Sequence, residues 1–92
     1  VGRLISAEPF QEAKKPAYRL WIEFGDIGVK KASAQIASLY KAEELVGRLV
    51  LAVVNFPLKQ VAGFTSEVPL LGAVLNRGDV VLVSPDRDIP PG

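Results

Sequence analysis

The 92-residue sequence contains no cysteine, histidine or methionine. The first two absences exclude thiol and imidazole nucleophiles, imidazole acid-base chemistry and nearly all zinc sites. No run of apolar residues approaches the ~18–20 that cross a bilayer, and the N-terminus lacks the basic, apolar, small-residue order of a signal peptide. A cytoplasmic protein with no membrane insertion is therefore expected. Charge of one sign is also scarce: 11 Lys and Arg stand against 10 Asp and Glu, a net charge of +1. That argues against a polycation that coats nucleic acid indiscriminately. The adjacent acids Glu43 and Glu44, and Asp86 with Asp88, have no nucleophile or metal-ligand spacing beside them. They read as a solvated helix start and a charged tail, so neither an enzyme nor a cofactor is expected.

Hydrophobic residues make up 49% of the chain, ample for one core, and residues 1–92 are expected to form one domain. A domain of this size buries roughly 60–65% of the surface its unfolded chain exposes, which leaves apolar surface for a partner. Dimerisation is the natural expectation. Charge is unevenly spread, with Lys14, Lys15, Arg19, Lys30 and Lys31 in one stretch and Asp79, Asp86 and Asp88 near the other end.

Turn signals recur at short intervals, as in a barrel or sandwich of short strands. Val1 to Glu8 alternates imperfectly and stops at Pro9, and 9–16 reads as a loop. From Tyr18 to Phe24 the alternation is clean: Tyr18, Leu20, Ile22 and Phe24 share one face, Arg19, Trp21 and Glu23 the other. Gly25-Asp26-Ile27-Gly28 supplies a tight turn into a strand from Val29 to Ile36, with Ala32, Ala34 and Ile36 inward and Lys31, Ser33 and Gln35 outward. Lys41 to Val46, closed by Gly47, is the one helical segment. Leu49 to Val54 reads as a strand buried on both faces, ended by Asn55-Phe56-Pro57. A loop carrying Lys59 and Gly63 leads to a strand over 66–74 with an edge or bulge at Pro69, and Asn76-Arg77-Gly78-Asp79 turns the chain into Val80 to Val83. Three strands, a short helix, then further strands is the order of an all-β OB-fold: a five-stranded Greek-key barrel with its helix between strands 3 and 4. An SH3-like barrel is the competitor, and the helix position counts against it.

Several strings then add up, in order, along nearly the whole chain: Val1-Gly2, Ala7-Glu8-Pro9-Phe10, Lys15-Pro16-Ala17-Tyr18, Ser33-Ala34-Gln35-Ile36, Glu43 to Arg48, Val53 to Pro57, Ala62-Gly63-Phe64, Ser66-Glu67-Val68 and Pro85-Asp86-Arg87. In these the sequence resembles the CsaA branch of the tRNA-binding-domain family, found also at the end of some methionyl-tRNA synthetases. The resemblance implies an OB-fold, a homodimer, tRNA as a partner and, for CsaA-like members, binding of unfolded or presecretory polypeptides as chaperones in secretion. This sequence departs from the family pattern in Leu58-Lys59, where Pro-Arg is frequent, and at Pro69, where a large apolar residue is usual.

OB-folds bind nucleic acid with a positive groove and exposed aromatics on strands 2 and 3 and the adjoining loops. Arg19, Lys30, Lys31, Ser33 and Gln35 are the candidates on the strands; a solvated sheet face is the competing reading. The resemblance adds Asn55, Lys59 and Ser66, positions implicated in tRNA contact in the wider family. Asn55 and Ser66 are equally suited to turn chemistry. Trp21, Phe56, Leu58 and Phe64 are the candidates for peptide binding or a dimer interface, with Trp21 also open to base stacking and the Phe residues to plain core packing.

Overall fold

The structure is a computed structural model that describes residues 1–10, 17–37, 39–55, 57–61, 64–76 and 79–92, with 59–61 described in their backbone alone. The strands are β1 (Gly2–Pro9), β2 (Tyr18–Glu23), β3 (Val29–Ala34), β4 (Leu49–Val50), β5 (Lys59–Val61), β6 (Phe64–Ser66), β7 (Gly72–Val74) and β8 (Val80–Leu82), with helix α1 (Ala42–Leu45) between β3 and β4. They form a four-stranded sheet in the order β3-β2-β1-β4 and two hairpins, β5-β6 and β7-β8, all antiparallel.

The period-2 pattern of β2 sets the inner face. Leu20 and Ile22 are fully buried and Tyr18 nearly so, whereas Arg19, Trp21 and Glu23 are half-exposed. Leu4, Phe24, Ala32, Ile36, Leu45, Val50, Val68 and Leu82 join them in the core. A register shift between Leu4 and Ser6 leaves Ile5 as the extra residue of a β-bulge in β1, which bends the strand and helps the sheet to curl. After Phe24 the expected tight turn is one turn of 3-10 helix over Gly25–Ile27. Gly25 and Gly28, at φ 69° and 95°, occupy backbone conformations that favour glycine.

The helix is shorter than the sequence suggests. The Lys41 N–H donates to Glu44 Oε1 at 3.3 Å and the Glu44 N–H to the Lys41 carbonyl at 3.0 Å, and Gly47 closes the segment with its N–H on the Leu4 carbonyl at 2.7 Å. Its one buried side chain is Leu45. Tyr40 ties three segments together: Tyr18 Oη donates to its carbonyl at 2.8 Å, and its own Oη accepts from the Leu82 N–H at 3.0 Å.

The second half of the chain departs further from expectation. The ladder of β4 stops at Val50; 51–53 are half-buried rather than covered on both faces, and they engage other segments instead. The Leu71 N–H donates to the Leu51 carbonyl at 2.9 Å and the Val53 N–H to the Pro69 carbonyl at 3.0 Å. The strand expected over 66–74 is split, because Pro69 has no N–H to give a ladder. At its start the same segment reaches the free edge of β3, where the Glu67 N–H donates to the Lys31 carbonyl at 2.8 Å. The result is a curled antiparallel half-barrel with one very short helix, consistent with an OB-like fold. The loop expected around Lys59 contains β5, which pairs Lys59 with Ser66 and Val61 with Phe64.

Candidate nucleic-acid interface

Directly paired residues on antiparallel strands project to the same side, so the register fixes what shares the outer face. One row is Glu8, Arg19 and Ser33; the next is Ser6, Trp21 and Lys31. Lys30 pairs instead with Ile22, whose side chain is fully buried, so it lies on the opposite side of β3 from Lys31. The two lysines do not form one patch.

Phe64 of β6 lies over this outer face. Its ring meets Trp21 edge-on at 5.9 Å between centroids and Phe10 at 5.6 Å. Two cations share the same ring: Lys31 Nζ is 5.3 Å from its centroid and Arg19 Cζ 6.0 Å, while Arg19 Cζ is also 5.5 Å from the centroid of Phe10. Each such contact contributes about 0.5–1 kcal/mol at an exposed site. Arg19 further pairs with Glu8 at 3.5 Å. The β5-β6 hairpin thus converts a flat strand face into a cation-bearing aromatic cluster, with a guanidinium and an ammonium seated on rings. Such a surface attracts phosphate oxygens and offers a half-exposed indole beside them.

The remaining candidates fall variously. Ser66 is buried, and its Oγ accepts the Ser33 N–H at 3.2 Å, the backbone-bonding role open to this residue type. Lys59 places its backbone opposite Ser66, one strand beyond β6. Gln35, Asn55 and Leu58 are exposed, and among the described residues no hydrogen bond or ring contact joins them to the cluster. Phe56, Gly63 and the basic pair Lys14 and Lys15 lie outside the described residues. Sequence reasoning missed Glu8 and Phe10 as members of the site. Their signal was present in part, since Glu8 and Arg19 are opposite charges on strands flanking one loop.

Among the described residues there is no group of three or more His, Cys, Asp or Glu able to hold a metal, and no helix is long and apolar enough to cross a membrane. A family model described as "Putative tRNA binding domain" matches residues 1–92. The chain belongs to this tRNA-binding domain family. Its solved relatives include the chaperone CsaA from Bacillus anthracis, 53% identical with a TM-score of 0.94, covering 99% of this chain and 83% of that one. CsaA from Picrophilus torridus is 50% identical with a TM-score of 0.87, covering 97% and 82%. The methionine-tRNA ligase of Methanothrix thermoacetophila is 39% identical over all of this chain, which spans 13% of the ligase. In those ligases the tRNA-binding domain is a small part of a much longer protein.

Proposed function

We propose that this chain is a non-catalytic tRNA-binding module, a five-stranded Greek-key OB barrel over residues 1–92 acting in the cytoplasm, and that it grips tRNA on the outer face of β2 and β3. The observation that carries this reading is the seating of Arg19 and Lys31 on the Phe64 ring, on the strand face that OB-folds use for oligonucleotides. Membership of the tRNA-binding domain family supports it. The contacts available are to phosphate and sugar, with Trp21 beside them, so recognition follows RNA shape more than base sequence. Ser33, Gln35, Asn55, Lys59 and Ser66 are flanking positions of this proposed footprint, while Lys30, on the other side of β3, adds only to the general field.

The test is a fluorescence-anisotropy titration of labelled bulk tRNA at two salt concentrations, with an unfolded presecretory polypeptide as competitor. Binding that weakens as salt rises, and that the polypeptide fails to displace, is the expected result. A salt-insensitive complex with the polypeptide, and none with tRNA, would replace this reading with the second one, a chaperone for unfolded polypeptides. The relatives named CsaA chaperones favour that alternative, together with exposed apolar residues such as Leu58.

A homodimer also belongs to the proposal. On the β7-β8 hairpin Ala73 pairs with Val81, on the side opposite buried Leu82, and exposed Leu71 and Val83 extend this uncharged side. Sedimentation equilibrium is expected to return twice the 9.9 kDa chain mass, and Val81→Asp to return the chain mass alone, since a charge cannot be buried unpaired in such a seam.

A further inference from the structure

The Arg19 side chain is held from two directions with unequal firmness. On one side its guanidinium lies against two adjoining rings, that of Phe10, itself almost fully buried, at 5.5 Å and that of Phe64 at 6.0 Å. Its other partner is Glu8, directly across the β1-β2 ladder, with Oε1 3.5 Å from Nη2. That separation is longer than the ~2.7–2.9 Å of a charge-assisted hydrogen bond, so the pair is an ion pair without a tight bond. The Glu8 side chain is 52% exposed and that of Arg19 33% exposed. Exposed ion pairs are weak because both ions remain well solvated. The two ring contacts, by contrast, do not depend on the carboxylate.

We propose that Glu8 is a carboxylate gate on the RNA face: it occupies the Arg19 guanidinium in the free protein, and an RNA phosphate takes its place on binding. The inference rests on the tRNA-binding reading and adds to it a specificity element. An isolated phosphate must displace a carboxylate of similar charge and gains little by doing so. A polyanion that also reaches Lys31, on the neighbouring row and the same ring, recovers the cost through the second contact. Glu8 therefore discriminates against free phosphate and short oligonucleotides in favour of RNA that presents several phosphates at once.

The experiment is a double-mutant cycle on tRNA affinity at low salt with Glu8→Gln, Arg19→Gln and their combination, each checked for folding by circular dichroism. Glu43→Gln, on an exposed position of α1, controls for net charge. Glu8→Gln is expected to tighten binding about threefold to tenfold, Arg19→Gln to weaken it about tenfold, the double variant to match Arg19→Gln, and Glu43→Gln to change little. Tightening by Glu8→Gln that persists undiminished without Arg19, or that Glu43→Gln reproduces, would reduce Glu8 to one charge in the general field and overturn the gate. Unchanged or weaker binding by Glu8→Gln would overturn it too. If Arg19→Gln leaves tRNA affinity intact, the RNA-binding face itself has been misplaced, an outcome separable from failure of the gate alone.

Discussion

Replacing Arg19 and Lys31 together by glutamate is expected to lower tRNA affinity by about two orders of magnitude at low salt, with far-UV circular dichroism unchanged. Each cation that neutralises a phosphate releases a condensed counterion, so its loss removes both attraction and salt sensitivity. A tenfold change in affinity corresponds to about 1.4 kcal/mol, a modest amount for reversing a charge against a phosphate. Losing two contacts should also flatten the dependence of log K on log salt by roughly 1.4–1.8. Lys30→Glu supplies the internal contrast. It changes net charge as either single reversal does, yet Lys30 pairs with Ile22 on the other side of β3, and its effect is expected to stay within about threefold, since only the general field is altered. Equal losses at Lys30 and Lys31 would mean that net charge alone attracts the RNA and that the aromatic cluster has no part in it.

The largest stability effect from a small change is expected at Gly2. This residue is buried in β1, paired with Val50 of β4. A Cβ added there would collide with Ile22 Cγ2 and lie 2.6 Å from Phe24 Cε1, far inside contact distance. Both neighbours are fully buried. Overpacking a close-packed core typically costs about 1–3 kcal/mol, and because the strand is fixed by its ladder, Gly2→Ala is expected near the upper end. For a domain of this size that corresponds to a fall in Tm of roughly 10–20 °C, measurable by thermal melting. A melting temperature within a few degrees of the parent would show that β1 can slide outward and that the packing there is loose.

The alternation of apolar and polar residues made β2 and its two faces legible, because a strand with one buried side must repeat every two residues. The same rule carried information about Lys30 that charge grouping obscured. Lys30 shares parity with Ala32, which is fully buried, so period alone separates it from Lys31. The β5-β6 hairpin was not legible, since three-residue strands are too short to show a period. Nor was the arrival of Phe64 on the outer face, which depends on a contact between distant segments. Local pattern does not encode such a contact. Ser66 was ambiguous in the sequence for a chemical reason, as a hydroxyl serves a ligand or a nearby amide equally well; its Oγ takes the Ser33 amide.

The edge of β3 carries a last consequence. Three of the backbone groups of Lys31 and Ser33 that point away from β2 are already taken: Lys31 N–H by Glu67 Oε1 at 2.9 Å, Lys31 carbonyl by the Glu67 N–H, and Ser33 N–H by Ser66 Oγ. An unpaired strand edge is a template for any extended chain, and is where sheet proteins stick to one another or capture peptides by adding a strand. Here that template is capped at Lys31 and Ser33 by Ser66, at the end of β6, and by Glu67 just after it. At these positions an extended polypeptide finds no free backbone partner, so strand addition there is blocked and contact is left to side chains.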